Sequence, residues 1–263
     1  MDKKEKFLLM LHSDMPRQGP GSDAITEMVL SMIDVYREAD PLRQRLKILD
    51  IGCGPGMQTI QIARHFPLGE ITAVDLYQQY LDEFVDAAVA GGVFDRVNPV
   101  QASMDALPFD EKSFDILWSE GAIYILGFQK GLEKWKKLVK PQGWIGVSEI
   151  SWFSDDRPKE LEDFWLAAYP EIDTTWRNLE KIKALDMEPV GTFRFPVKAW
   201  FTHYYTPLID RIGLCRRSAE AGRGNEDPML QLIEEEEREI ELLQKYADYY
   251  GYVFYLMRNP ETG

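Results

Sequence analysis

From about Lys47 onward, short strand-like runs rich in Val and Ile alternate with longer segments of helical period. This rhythm is typical of βαβ units, whose strands pair in parallel and whose helices cover the sheet. It predicts strands at 47–51, 70–75, 97–101, 114–118 and 143–149, with helices at 57–66, 79–90 and 129–139 between them. The fold class that follows is α/β, with a doubly wound and mostly parallel sheet.

The composition changes beyond Ser151, where four tryptophans and five prolines fall within residues 152–207. We interpret this aromatic-rich part as an insertion. Later segments predict helices at 174–185, 207–219 and 228–249 and strands at 189–195 and 252–257. Within the last helix, the four glutamates of 234–237 are predicted to form a solvated face.

Charge and cysteine content narrow the function classes. Thirty Lys and Arg against 44 Asp and Glu leave a net charge of −14, which disfavours nucleic acid and anionic membranes as partners. Cys53 and Cys215 belong to no zinc-type cluster, so we expect no metal site and a reducing, cytoplasmic location. No window approaches the ~20 apolar residues of a membrane-spanning helix.

The segment LDIGCGPGM at 49–57 runs from a predicted buried strand through a sharp turn into a helix. Glycine permits positive φ there and lets a ligand lie against the backbone. The spacing is GxGxG, because Met57 stands where a dinucleotide fingerprint has its third glycine, and this disfavours NAD and FAD. Cys53 occupies the variable position and is interpreted as filler, not as a nucleophile. A glycine turn taken alone also serves simply to bend the chain.

Acidic residues stand at three consecutive strand tips, which a parallel sheet brings side by side. Asp50 ends the first predicted strand. Asp75 ends the second, and its carboxylate can accept hydrogen bonds from both hydroxyls of a ribose. Asp105 follows the third and can accept from the exocyclic amine of adenine. Each Asp taken singly is better explained as a helix N-cap or turn former. Together, beside the glycine turn, they indicate a nucleoside site.

These segments resemble, in order and spacing, the class I S-adenosylmethionine-dependent methyltransferases. The resemblance covers roughly residues 45–150 and rests on 50–56, 74–75, 104–109, 113–121 and 138–143. A shorter segment at 16–22, which contains Gly19, resembles a small-molecule-directed subset of the family, of the methyltransferase-domain-11 type. Gln142 departs from the family pattern, because it replaces a glycine in the turn before the fifth strand.

The resemblance implies a seven-stranded Rossmann-like sheet with an antiparallel last strand and an insertion between strands five and six. It implies S-adenosylmethionine as cofactor and a small molecule as methyl acceptor. The cofactor-binding residues implied are Gly19, Asp50, Gly52, Cys53, Gly54, Gly56, Asp75, Leu76, Met104, Asp105, Glu120 and Gly121.

Each part of the cofactor has an implied partner. Asp50 and the backbone of the glycine turn would meet the methionine part, and Asp75 would bind the ribose. Leu76 and Met104 would enclose the adenine, and Asp105 would hold its amine. A sulfonium and an ammonium favour carboxylates and carbonyls, whereas a pyrophosphate would favour cations and helix N-termini. The glycine turn contains no Lys or Arg, which fits a cofactor with a sulfonium and an ammonium better than one with a pyrophosphate.

The methyl-transfer end would be lined by the residues after strand four, Glu120 and Gly121. A hydroxyl, thiol or acidic carbon acceptor also needs a general base. Tyr124 and His203 are the candidates, because Tyr124 follows strand four and His203 lies among aromatics at 200–205. Tyr124 is alternatively a packing residue, and His203 a partly buried histidine that bridges loops. The aromatics of the insertion either enclose an acceptor pocket or form its own small core.

We interpret residues 1–263 as a single methyltransferase domain. It comprises an N-terminal helical cap (1–46), a cofactor-binding core (47–150), an insertion that shapes the acceptor site (151–200), and C-terminal helices with the last strand (201–263). The alternative is a non-catalytic S-adenosylmethionine-binding sensor or scaffold. A nucleic-acid methyltransferase is disfavoured by the charge and by SEGA at 119–122, where an Asn-Pro-Pro-aromatic motif would stand. The acceptor and the oligomeric state stay open.

Overall fold

The computed structural model describes residues 3–37, 45–222 and 228–260. Its strands are β1 (Lys47–Ile51), β2 (Glu70–Asp75), β3 (Val97–Gln101), β4 (Phe114–Ser119), β5 (Val139–Trp152), β6 (Asp173–Thr174), β7 (Glu188–Arg194) and β8 (Tyr250–Arg258). Its α-helices are α1 (Lys3–Leu11), α2 (Asp23–Arg37), α3 (Met57–His65), α4 (Gln78–Ala90), α5 (Phe128–Trp135), α6 (Lys159–Ala168), α7 (Thr175–Ala184), α8 (Val197–Trp200), α9 (Thr206–Gly222) and α10 (Pro228–Tyr246).

The strands form one sheet in the order β3-β2-β1-β4-β5-β8-β7, and the two-residue β6 pairs with the end of β5. Strands β1 to β5 are mutually parallel, and β8 runs antiparallel to both of its neighbours. The predicted mostly parallel Rossmann-like sheet is therefore confirmed. The additional β6 lies within the predicted insertion, after α6.

Three stretches differ from the sequence prediction. Residues 136–139 do not continue the predicted helix, because a short 3₁₀ turn at Lys136–Leu138 leads into β5, whose Val139 pairs with Phe114. Helix α6 was not predicted within the proline-rich insertion, although it presents Leu161 and Trp165 to the core. Residues 197–222 are helical throughout, through a π-helical turn at Phe201–Tyr205, so residues 200–206 do not separate two elements as predicted.

Both faces of the sheet are covered by helices. Along β1, Ile48 points into one apolar core and Leu49 and Ile51 into the other, as the alternation of a strand requires. Helices α5 and α7 pack on the second core, whereas α2, α3, α4 and α10 pack on the first. Among the described residues, no helix is long and apolar enough to cross a lipid bilayer.

The glycine turn between β1 and α3 also determines how α4 packs. Gly56 has φ +87°, and a Cβ added there would lie 1.9 Å from a ring carbon of the buried Phe84. A side chain at this position would therefore be strained in its own backbone and would collide with α4. Gly92, in the turn after α4, also has positive φ (+69°), but nothing lies within 4 Å of its added Cβ.

We expect Gly56→Ala to lower the free energy of unfolding by about 2–4 kcal/mol, the sum of backbone strain and overpacking. Gly92→Ala is the matched control and should cost only about 1 kcal/mol, because it carries the strain without the collision. Urea unfolding of both variants measures the difference. Equal losses would show that the contact with Phe84 does not restrict the turn.

Candidate active site

A cleft of about 480 Å³ opens at the carboxyl ends of β1, β2, β3 and β4. The glycine turn, the loops after β2, β3 and β4, and residues 17–20 of the N-terminal segment line it. It lies beyond the end of β1, which pairs with β2 on one side and with β4 on the other. At this point the strand order changes direction, because β2 and β3 follow on one side of β1 and β4 and β5 on the other. Such a switch point is where open α/β sheets bind ligands.

The N–H groups of the glycine turn are engaged within the protein. Gly52 and Cys53 donate to the carbonyl of Val74 (2.8 and 3.0 Å), and Gly54 donates to Oδ2 of Asp75 (2.9 Å). The turn is thus held against the tip of β2. Burial raises the pKa of the Cys53 thiol well above its usual range, with Asp50 and Asp75 adding to the effect. A thiol held protonated is a poor nucleophile.

Asp75 lies in the cleft with its carboxylate held by backbone. Oδ2 accepts from Gly54 N, and Oδ1 accepts from Tyr77 N at 3.0 Å. Burial raises the pKa of Asp75, although these backbone hydrogen bonds oppose the shift. Each carboxylate oxygen has a second lone pair, so Asp75 can still accept hydrogen bonds from a diol in the cleft.

Asp50 and Gly56, both predicted to bind the cofactor, do not line this cleft. Asp50 is fully buried behind the glycine turn, where it accepts from the Thr59 hydroxyl at 2.5 Å through Oδ2. Its Oδ1 has no hydrogen-bond partner among the described residues. Burial raises the pKa of Asp50 to about 7. Gly56 packs against Phe84, so in this structure its role is structural.

Leu76, Met104 and Asp105, the residues predicted to hold an adenine, all line the cleft. Leu76 is 52% exposed, whereas Met104 is half-buried. The Asp105 carboxylate accepts from Nζ of Lys134 at 2.5 Å, and this lysine lowers the pKa of Asp105. Sequence reasoning did not anticipate that partner, since Lys134 lies on α5.

Glu120, at the tip of β4, is held by three donors. Arg17 donates to Oε2 at 2.7 Å, while Thr26 and Trp118 donate to Oε1 at 2.7 and 2.9 Å. The Arg17 and Glu120 side chains are only 4% and 3% exposed. Glu120 lines the cleft as predicted, but its carboxylate binds protein. It acts as a positioning residue that fixes the N-terminal segment over the cleft.

A second cavity, of about 210 Å³, adjoins the cleft and shares Gln18, Gly19, Pro20, Gly121 and Tyr124 with it. We call it the acceptor cavity, after the role proposed for it below. Gly121 has φ +63°, and its N–H donates to Ser148 Oγ at 2.8 Å. The predicted residues Gly19 and Gly121 therefore stand at the junction of the two spaces.

The two candidate bases are placed differently. Tyr124 lines both spaces and is 43% exposed. Desolvation of the hydroxyl, with the charges of Glu239, Glu149 and Glu236 adding to the effect, raises the pKa of Tyr124 to about 12, so its hydroxyl is a donor at neutral pH. His203 lies in the π-helical turn and lines neither space.

Two glutamates of α10 were missed as site residues. Glu239 lines the acceptor cavity, and Glu236, one turn earlier, has a buried Oε2 without a hydrogen-bond partner among the described residues. The solvated face predicted for 234–237 is wrong for Glu236, because only Glu234 and Glu235 are exposed. The helical period could have indicated that Glu236 points inward, because it stands three residues after Ile233 and four before Ile240, both of which are buried.

Comparison with known proteins gives a family model, described as a methyltransferase domain, that matches residues 48–143. A malonyl-[acyl-carrier protein] O-methyltransferase of Enterobacter lignolyticus is 28% identical over 154 residues, covering 57% of this chain and 56% of the relative. A ubiquinone/menaquinone biosynthesis C-methyltransferase of Idiomarina loihiensis is 30% identical over 112 residues, covering 42% and 45%. The matches thus span about half the length of these curated relatives.

Two solved structures share the fold over nearly the whole chain. A methyltransferase of Geobacter sulfurreducens in complex with S-adenosyl-L-homocysteine superposes with a TM-score of 0.74 at 19% identity, covering 96% of this chain and 97% of that one. A methyltransferase of Thiobacillus denitrificans, in complex with the same compound, gives 0.75 at 20% identity, covering 98% and 99%.

We expect Arg17→Met to lower the free energy of unfolding by about 3–5 kcal/mol, because it leaves Glu120 buried without its counter-ion. Lys159→Met is the matched control. It removes an exposed pair with Asp163, 2.6 Å apart, which contributes little to stability because solvent screens it. Urea unfolding measures the loss, and limited proteolysis reports loosening of residues 12–22. Equal stability and proteolysis in the two variants would contradict the positioning role of Arg17.

Proposed function

We propose that the chain is a class I S-adenosylmethionine-dependent methyltransferase and that it transfers a methyl group to a small molecule held in the acceptor cavity. The observation that carries this proposal is the junction at Gly121, where a cleft suited to a nucleoside meets a separate, smaller cavity. A cofactor site and an acceptor site in direct contact are what a direct transfer between two bound molecules requires.

The residues of the cleft fit S-adenosylmethionine. Asp75 offers carboxylate lone pairs to a ribose, and Leu76 and Met104 offer apolar surface to an adenine ring. No Lys or Arg stands in the glycine turn, and its N–H groups are engaged, so a phosphate would find no free donor there. When bound, the cofactor supplies a methyl group on a positively charged sulfur.

The protein's contribution to this reaction is alignment. Arg17 and Glu120 hold residues 18–20 over both spaces, which limits access of water and restricts the position of each bound molecule. Alignment of two reactants is worth up to about 7–11 kcal/mol of the activation barrier in favourable cases. No covalent intermediate with the protein is required. No observation on the described residues favours a sensor or scaffold role.

Calorimetry should show binding of S-adenosylhomocysteine, and Asp75→Ala should weaken it about tenfold or more, through loss of two charge-assisted hydrogen bonds. Asp82→Ala is the control, because Asp82 is an exposed carboxylate on α4 outside the cleft. Unchanged affinity in Asp75→Ala would remove the ribose assignment, and no binding by the unmodified protein would remove the proposed function.

A second test concerns the candidate bases. Tyr124→Phe should lower turnover by about tenfold or more without weakening S-adenosylhomocysteine, because it deletes a hydroxyl at the junction. His203→Ala should stay within about twofold, since His203 lines neither space. Turnover is followed as transfer of labelled methyl to an acceptor found by screening small metabolites. Full turnover in Tyr124→Phe would exclude a role for its hydroxyl.

A further inference from the structure

We propose that the acceptor is an amine, and that the acceptor cavity binds its cationic form among aromatic rings and against the Glu239 carboxylate. This inference rests on the proposed function, because it names the class of molecule methylated in that cavity. Three features of the described residues carry it: the aromatic rings of the wall, the Glu239 carboxylate that lines the cavity and the lack of a lining cation.

Five of the twelve described residues that line the cavity are aromatic. Its rings are Tyr124, Trp165, Tyr169, Tyr204 and Tyr252, which come from the loop after β4, from α6 and its end, from the π-helical turn and from β8. Rings from separate elements thus face one space of about 210 Å³, the size of a small metabolite. The negative faces of aromatic rings attract ammonium groups, most strongly where water is excluded.

Glu239 supplies a carboxylate to the same cavity. Its Oε1 accepts from the Tyr205 hydroxyl at 2.5 Å, which fixes the side chain against the wall. Burial raises the pKa of both Glu239 and Glu236, in Glu236 to about 8, and repulsion from Glu239 adds to the Glu236 shift. Glu149, 1% exposed on β5, is a third buried acid, and its charge acts on Tyr124 and Tyr252. It does not line the cavity, and Lys181 opposes the rise that burial causes in its pKa.

Glu239 faces no compensating positive side chain within the cavity. Among its described lining residues there is no Lys, Arg or His. Glu120 provides the contrast within the same site, because Arg17 neutralises it at 2.7 Å. A bound ammonium group would offset the unfavourable burial of the Glu239 charge, whereas a carboxylate or phosphate would add to it. The cavity therefore favours cations over neutral or anionic molecules.

The Glu239 carboxylate also suits the methylation of an amine. An ammonium group must lose a proton before its nitrogen can react, and a carboxylate of raised pKa is a fitting acceptor for that proton. The nitrogen lone pair then forms the new C–N bond while the methyl carbon–sulfur bond breaks. The electron pair of that bond remains on sulfur, and the positive charge passes to the methylated nitrogen.

The test uses a matched pair of probes, choline and 3,3-dimethylbutan-1-ol, which has carbon in place of the charged nitrogen. Binding of each is measured by calorimetry at about pH 9 to protein saturated with S-adenosylhomocysteine. We expect choline to bind about tenfold or more tightly than the neutral alcohol. Glu239→Gln should remove most of this preference while still accepting the Tyr205 hydrogen bond, and Glu236→Gln should reduce it.

Glu234→Gln is the control, since it makes the same change in charge on the exposed side of α10 and should leave the preference intact. Equal binding of choline and the alcohol, failure of choline to bind, or equal effects of Glu239→Gln and Glu234→Gln would each overturn the amine proposal. Those outcomes leave the proposed function standing when S-adenosylhomocysteine still binds. Only its failure to bind counts against the proposed function itself.

Discussion

The contact on which the site depends is the buried ion pair of Arg17 and Glu120. Burying two charges is costly, and it is tolerated when every oxygen and most N–H groups find partners. Here Glu120 accepts from Arg17, Thr26 and Trp118, which belong to the N-terminal segment, α2 and β4. These bonds hold residues 18–20 in place across the carboxyl edge of the sheet. If the bonds were lost, the cleft and the acceptor cavity would both open to water on the side that residues 18–20 cover.

The sheet topology places the chemistry at this edge. Because β1 lies between β2 and β4, the glycine turn, Asp75 and Gly121 come together although they are far apart in the chain. The acceptor cavity is then completed by elements added around this core: α6, the π-helical turn, α10 and β8. The core thus accounts for the cleft, and the additions give the adjoining cavity its aromatic and acidic character.

Much of the core was predictable because its signals are local. Alternating strand and helix patterns located β1 to β4, and the glycine turn and strand-tip acids indicated the cleft. The resemblance noted over residues 45–150 agrees with the methyltransferase-domain model that matches residues 48–143. Long-range pairing was not predictable. The partners Arg17 and Glu120 are 103 residues apart, and Glu239 reaches the cavity only because α10 packs beside the π-helical turn. Asp50 stands one residue before the end of β1, yet its side chain does not line the cleft.

The most direct measurement is a crystal structure with S-adenosylhomocysteine bound. The account predicts that the ribose hydroxyls contact Asp75 and that the sulfur lies at Gly121, directed toward the acceptor cavity. A sulfur directed away from that cavity, or a ligand bound outside the cleft, would contradict the claim that the two spaces are the two halves of one methyl-transfer site.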